Sequence, residues 1–440
     1  MVRPLIALSR IALFALLAAP HAAIAAPPAR AYDAEITRRA NAGMADVIAW
    51  RRDFHEHPEL SNRETRTSAA VAEKLKAMGL EVRTGIARTG VVAVLKGGKP
   101  GPVVALRSDM DALPVREEVD VPFASKAHTL YNGQDVGVMH ACGHDTHMAM
   151  LLGAARVLTD MKAQVPGTVL FIFQPAEEGA PAGEEGGASL MIKEGVLRDP
   201  HPSAIFGMHV VNWAAGTLTY HPEGAMAASD IVHIIVRGRQ THGGRPWEGI
   251  DPVIASAQVI TGLQTIISRQ IDLTNAPAVL SIGMVHGGIR NNVIPDSVVM
   301  EGTLRTFDPA MRDTIMAHIR RTAEDIAASS GARAQVDFTG PNPVVWNDAA
   351  LTARMAPTLA RVVGEKNAYV TPPKTWAEDF SYYAKEVPGL FIDLGINPPG
   401  IAQEKTAPNH SPRFYVDESN LVVGVRTWAS LALDYLNGGR

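Results

Sequence analysis

Cysteine is nearly missing from this chain. Its 440 residues hold one, Cys142, so an intramolecular disulfide cannot form and every disulfide-stapled scaffold is excluded. A basic excess is missing as well: 41 Lys and Arg stand against 45 Asp and Glu, a formal charge of -4, where a nucleic-acid binder would carry a basic face or tail. No low-complexity tract occurs, and after the N-terminus no apolar run approaches the roughly 20 residues that cross a bilayer. What remains, 46% hydrophobic and 20% charged residues, is the composition of a globular protein long enough for two or three domains. The one thiol shares the chain with 15 His.

The N-terminus reads as an export signal. Arg3 and Arg10 precede the apolar stretch Ile11 to Ala19, and Ala23-Ile24-Ala25 supplies the small-x-small pattern of a cleavage site. The stretch is ended by Pro20 and is too short for a permanent anchor. A signal over residues 1–25 is therefore expected, and with it a periplasmic or secreted mature protein that has no membrane attachment. An oxidising compartment is an odd place for a lone thiol unless something occupies it.

Strands and helices alternate along the chain. Ser61-x-x-Glu64 has the form of a capping box for a helix through Met78, closed by Gly79. Strands are expected at Val91 to Leu95, Val103 to Leu106, Val169 to Phe173 and Ala204 to Met208, with a helix from Asp145 to Leu158. From about Asp230 the order becomes strand, helix, strand, strand, helix, strand: Ile231 to Val236, Asp251 to Gln270, Val279 to Val285, Val298 to Phe307, a helix opened by Pro309, and Ala334 to Phe338. In the Asp251 helix, Val253, Ala257, Ile260, Leu263 and Ile267 define one apolar face. That order fits a ferredoxin-like α+β insert. The first texture then returns, with strand Leu390 to Leu394 and a closing helix from Val416 to Leu436. The expectation is an α/β fold: a catalytic domain (residues 33–229 and 339–440) with a central mixed, mostly parallel sheet, interrupted by a smaller lid (residues 230–338).

Chemistry concentrates in four short segments. In His140-Ala-Cys142-Gly143-His144-Asp145, a thiol and an imidazole flank a Gly that lets the backbone turn tightly, so both can reach one ion. The alternative is a buried Cys beside surface His, but three His between His140 and His147 favour metal. Gln174-Pro-Ala-Glu177-Glu178-Gly179 follows an apolar strand, where α/β sheets place ligand sites. The two side chains diverge, so one carboxylate can bind metal while the other acts as general base; a solvated acidic turn is the alternative. His209 ends another apolar strand, where a satisfied core His is the commoner explanation for a single residue, and His410 sits in a Pro-flanked loop and is unremarkable by itself. Together they make the donor inventory of a two-ion hydrolytic site, with ions about 3.5–4 Å apart.

These stretches, together with Arg51 to Leu60, Arg107 to Pro114, Asn292 to Asp296 and Glu378-Asp-Phe-Ser381, resemble the signatures of a metal-dependent amidohydrolase family. It is the hippurate hydrolase and indole-3-acetyl-amino-acid hydrolase branch of the aminoacylase/carboxypeptidase-type dinuclear zinc peptidases, and the resemblance runs in order through nearly the whole mature chain. It implies that Cys142, His144, Glu178, His209 and His410 are metal ligands, with Cys142 bridging two divalent ions, zinc first and Mn, Co or Ni as alternatives. It implies Glu177 as general base and acid, and Asp111 as support from behind the metal site. On the lid it implies His242 as oxyanion donor, in some relatives from the partner subunit, and Asn292 near the substrate carboxylate. The implied reaction is hydrolysis of the amide of an N-acyl amino acid, by a homo-oligomer, dimer or tetramer, built through the lid.

Two departures from the family pattern each add a ring: Pro246 is followed by Trp247 rather than His, and Trp376 precedes Ala377-Glu378 where small residues are usual. Either indole can line the acyl side of the pocket and favour an aryl or bulky acyl group; packing at a domain edge is the alternative. Within the enzyme class the runner-up is a carboxypeptidase or dipeptidase. A periplasmic binding protein would share the signal and the two-domain build, but it has no need of Glu177 and Glu178 beside a Cys/His cluster.

Overall fold

A computed structural model of the protein describes residues 30–438, so the expected signal lies outside the described residues. Eight strands form the central sheet, in the order Glu81–Ile86, Gly90–Lys96, Pro166–Gln174, Lys99–Asp109, Ala204–Val211, Gly389–Gly395, Leu218–Tyr220 and Ala368–Val370. The middle four, from Pro166–Gln174 to Gly389–Gly395, run parallel. Antiparallel pairs flank them and the edge pair Leu218–Tyr220/Ala368–Val370 is parallel again, so four of the seven pairings are parallel and the sheet is mixed, mostly parallel.

The composition of these strands explains their place. In Pro166–Gln174, Val169, Phe171 and Phe173 enter one core while Leu170 and Ile172 enter the other. A run apolar at every position is what a strand covered on both faces requires. Helices Asp33–Glu56, His144–Asp160 and Leu421–Leu436 pack on one another over the first face. The shorter Gly187–Lys193 and Phe380–Glu386 supply buried side chains to the second. Trp428 of the last helix is wholly buried, and truncating such a residue to Ala typically costs about 3–5 kcal/mol.

The insert is a four-stranded antiparallel sheet in the order Ala278–Gly287, Ser297–Thr306, Ala228–Arg237 and Arg333–Asn342. Numbered along the chain that order is 2-3-1-4, the ferredoxin-like arrangement. Helices Pro252–Thr265 and Pro309–Ser329 close a separate core against it, with Val232, Ile234, Val236, Leu263 and Ile315 at its centre. Among the described residues no helix is long and apolar enough to cross a membrane.

Three local readings differ from the structure. Ser61 and Glu64 do not form a capping box: helix Thr65–Ala77 has no side-chain cap from its N-cap residue Glu64, and its first amides are met by Glu59, which accepts from Arg66 N–H at 3.1 Å and Thr67 N–H at 2.8 Å. Ser61 and Glu64 turn instead toward the loops that carry the site. The Asp251 helix is rotated from its expected face, because Ala255, Val259, Leu263 and Ile266 form an equally apolar stripe and tertiary packing selects that one. Val253 is left exposed, and Asp251 caps the helix by accepting from Val253 N–H at 2.8 Å. The pattern from Val416 begins as a helix only at Leu421, after a single 3-10 turn over Glu418–Asn420. Helix Asp33–Glu56 and hairpin His128–Tyr131/Gln134–Gly137 were not anticipated.

Candidate metal centre and active site

The parallel strands deliver their chemistry at their carboxyl ends, where open α/β sheets bind ligands. Lys99–Asp109 runs out into Met110-Asp111, Pro166–Gln174 into Glu177-Glu178, and Ala204–Val211 carries His209 near its end. The Cys142 loop enters helix His144–Asp160 from alongside. Gly143 stands at φ +94, and a Cβ there would meet Val210 Cγ2 at 2.4 Å, so only Gly allows Cys142 and His144 to turn to the same point.

Five residues from four segments converge. Cys142 Sγ is 3.2 Å from His209 Nε2 and 3.2 Å from His410 Nε2. His410 Nε2 is 3.1 Å from Glu178 Oε1. Two donor triads, Cys142/His144/His209 and Cys142/Glu178/His410, each have ligand atoms within 4.8 Å of one another, and they share the Cys142 sulfur. If two ions occupied these triads, Cys142 would be the one donor common to both.

The imidazoles are oriented for this. His144 Nδ1 bonds to the Asp111 carbonyl at 2.8 Å and His209 Nδ1 to the Val210 carbonyl at 2.7 Å, which puts the proton on Nδ1 and leaves Nε2 as a lone-pair donor. His144 Nε2 is buried with no hydrogen-bond partner, 3.8 Å from Glu177 and 3.9 Å from Glu178. An orphaned imidazole nitrogen facing two carboxylates and a thiol is a donor set that fits a divalent cation. Burial, followed by Glu178 and Glu177, pushes the Cys142 thiol well above its ordinary range, so a cation is what would make it a thiolate ligand. His147, by contrast, spends both nitrogens: Nδ1 meets Asp109 at 2.6 Å and Nε2 accepts from Val210 N–H at 2.8 Å. His140 is buried without a partner and joins none of the ligand groups found among the described residues.

Asp111 organises the carboxylate loop. Its two oxygens accept from the backbone N–H of Glu177 and of Glu178, each at 3.0 Å, and Ser61 donates to it at 2.7 Å. Glu64 accepts from Ala176 N–H at 2.9 Å and from Thr89 Oγ1 at 2.6 Å, which holds Ala176 at a positive φ of 53. Such backbone strain is carried by the surrounding bonds.

Behind Glu177 lies a second, drier network. Arg107, fully buried, donates to Gln174, Asp109 and Asp379 and pairs with Glu378, each at 2.9 Å. Glu177, Glu378 and Asp379 lie within 4.8 Å of one another. Desolvation first, then Glu378, Glu178 and Asp379, push the Glu177 carboxyl well above the usual range, which makes its carboxylate a stronger base. Arg107, Gln174 and Asp109 had received no role from the sequence. The available signal was Arg107 and Asp109 two apart in an apolar strand, hence on one face of it.

Cys142, Glu177, Glu178, His209, His410, Glu378 and Asp379 line a cavity of about 800 Å³ that also reaches Trp213, Trp376 and Asn342. The lid candidates lie elsewhere. His242 and Asn292 are exposed neighbours on the lid, with Gly243 N–H donating to the Asn292 carbonyl at 2.8 Å, and neither lines the cavity. His242 Nδ1 accepts from Gly244 N–H at 3.0 Å, so its outward Nε2 carries the proton. Trp247 is 76% exposed on the lid and is also outside the cavity.

Residues 105–434 match the model of peptidase family M20/M25/M40. The chain is 40% identical to thermostable carboxypeptidase 2 of Saccharolobus solfataricus over 397 residues, 89% of this chain and 95% of that protein. It is 40% identical to N-acetylcysteine deacetylase of Bacillus subtilis over 390 residues, covering 88% and 96%, and 35% identical to IAA-amino acid hydrolase ILR1-like 2 of Arabidopsis thaliana over 403 residues, covering 89% and 86%. Among solved structures it is similar to the Bacillus subtilis YXEP protein, described as a dinuclear metal binding peptidase, with a TM-score of 0.76, 38% identity and coverage of 90% and 99%.

Proposed function

The chain belongs to peptidase family M20/M25/M40 and is a metal-dependent hydrolase, and from that premise we propose that it hydrolyses the amide of N-acyl amino acids with an aryl or bulky acyl group. The observation that carries the reading is the pair of donor triads sharing Cys142, with Cys142, Glu178, His209 and His410 lining one cavity beside Glu177. The resemblance to a deacetylase and to an indole-type amino acid hydrolase supports an acyl amide as the substrate, and Trp376 on the cavity wall supports an aromatic acyl group. The carboxypeptidase relative keeps peptide hydrolysis as the second reading.

The residues that would hold two divalent ions, zinc by preference, are Cys142, His144, Glu178, His209 and His410. When bound, the ions supply Lewis acidity, polarising the amide carbonyl and acidifying a water. Glu177 takes the proton of the attacking water at its carboxylate and passes it to the leaving amine. Asp111 fixes the backbone of both Glu177 and Glu178, so base and ligand keep their spacing. His242 presents its Nε2–H to the developing oxyanion and Asn292 meets the substrate carboxylate only after the lid closes or a partner subunit brings its own lid. Exposed Val253 and Ile254 on the lid helix, with Val279, Met284 and Val285 on the edge strand Ala278–Gly287, support assembly through the lid. Residues 1–25 are read as a cleaved export signal, placing the protein in the periplasm or outside the cell.

The test is a panel of acetyl-, benzoyl- and indoleacetyl-amino acids beside dipeptides, assayed with the zinc-loaded protein. Amide hydrolysis confined to acyl amino acids supports the reading; faster cleavage of dipeptides overturns it in favour of a peptidase.

A further inference from the structure

One wall of the cavity is built from two indoles, Trp213 and Trp376, and a buried ammonium stands against both. Lys374 Nζ lies 5.2 Å from the Trp213 ring centroid and 5.9 Å from that of Trp376, within the reach of a cation–π contact. The Lys374 side chain is 7% exposed and is ion-paired with Asp393. Asp393 accepts from Thr219 at 3.3 Å and lies in register with His209 on the adjoining parallel strand. A continuous line of contacts thus runs from the strand that carries a metal-ligand candidate, through Asp393 and Lys374, to the two rings.

A buried ion pair is costly to desolvate and is weak evidence for stability in itself. Here it orients two aromatic faces. Trp376 is 49% exposed, so a broad apolar surface is uncovered at the site. Past Trp213 and Gln403, which line both spaces, a second hollow of about 340 Å³ continues between Tyr369 and Ile401. The wall offers broad apolar ring faces and its cation is neutralised by Asp393, so it favours the acyl end of a substrate over the charged carboxylate end.

We infer that Trp213 and Trp376 form the acyl-recognition wall, selecting acyl groups with fused or extended aromatic rings, and that Lys374 is the positioning residue that sets the ring orientation. This rests on the reading that the substrate is an N-acyl amino acid. Planar apolar rings stack on indole faces in offset or edge-on geometry, and an acyl group longer than one ring passes Trp213 into the second hollow.

The experiment compares kcat/KM for 2-naphthoylglycine and acetylglycine in the full-length, zinc-loaded protein and in Trp376→Ala, Lys374→Met and Lys374→Arg. The naphthoyl-to-acetyl ratio is expected to fall about tenfold in Trp376→Ala, mainly through KM, a loss of the size that pocket contacts command. Lys374→Met lowers the ratio likewise, and Lys374→Arg restores it. Should Lys374→Met fail to fold with Asp393 left unpaired, the double variant Lys374→Met/Asp393→Asn carries the same comparison. An unchanged ratio in these variants, or an equal loss on both substrates, overturns the inference and leaves amide hydrolysis standing. Hydrolysis of neither substrate by the unaltered protein overturns the underlying reading, and the inference falls with it.

Discussion

His410 Nε2 stands 3.2 Å from Cys142 Sγ across 268 positions of chain. The loop that achieves this is tied down locally: His410 N–H donates to the Ala141 carbonyl at 2.8 Å, and the Asn409 amide donates to the carbonyls of Cys142 and Val210, each at 3.0 Å. His410 itself takes a positive φ of 68, strain of the kind that persists where surrounding bonds impose it. The two donor triads meet at this sulfur, so Cys142→Ser should disturb both. Bound zinc after dialysis should drop below two per chain, with affinity weakened by more than the roughly 10- to 100-fold that outer-shell partners command. Metal analysis of the folded variant checks this, and full retention of two ions would remove the bridge.

Glu177→Gln keeps the shape of the side chain and removes the base. Turnover should fall by about a hundred- to ten-thousand-fold, the usual span for a positioned general acid–base. Metal content and the thermal midpoint should stay near those of the unaltered protein, because Glu177 belongs to neither of the triads that share Cys142. Turnover within a few-fold of the original would place the base elsewhere.

Arg107 pairs with three buried carboxylates, Asp109, Glu378 and Asp379, and of these Asp109 is also met by His147. Arg107→Met should destabilise the fold by about 3–5 kcal/mol, the typical cost of leaving a buried charge unpaired. Arg107→Lys should recover part of that and no more, since an ammonium cannot reproduce the guanidinium fork. Urea denaturation midpoints of the three proteins give the comparison.

Glu64 yields a pH prediction. Desolvation first, and the Asp111 charge second, push its carboxyl from about 4.5 up to about 7, against the hydrogen bonds from Thr89 and the amides of Glu64 and Ala176. Between those values the folded chain holds a proton that the unfolded chain has released, so stability from this group is present below about 4.5 and is lost as pH rises through about 7. In Glu64→Gln that slope should flatten. Urea midpoints at pH 5 and pH 8, taken with metal present, show it as a smaller drop in the variant than in the parent.

The ligand candidates were legible because each combines a donor type with a local signal of exposure to the sheet's carboxyl end: Gly143 after Cys142, the end of an apolar strand before Glu177 and His209, Pro412 after His410. The lid was legible because six elements repeat one known order. Ser61 and Glu64 misled because their spacing is that of a capping box, and only the tertiary fold shows that Asp111, Thr89 and the Ala176 amide compete for their oxygens. The face of helix Pro252–Thr265 was ambiguous because it is apolar on several sides, and the choice belongs to the sheet beneath it. Trp376 was noticed but Trp213 and Lys374 were not, since nothing local links a Lys to rings 161 and two positions away. The placement of His242 depends on how lid and catalytic domain are disposed, which no motif encodes.

The central claim is that a Cys142-bridged pair of ions drives amide hydrolysis. Chelated protein, titrated with zinc while benzoylglycine hydrolysis is followed, measures it directly. Activity should be absent without metal and should rise to a plateau at two zinc per chain; hydrolysis at full rate in the chelated protein, or none at any loading for any acyl amino acid, would contradict it.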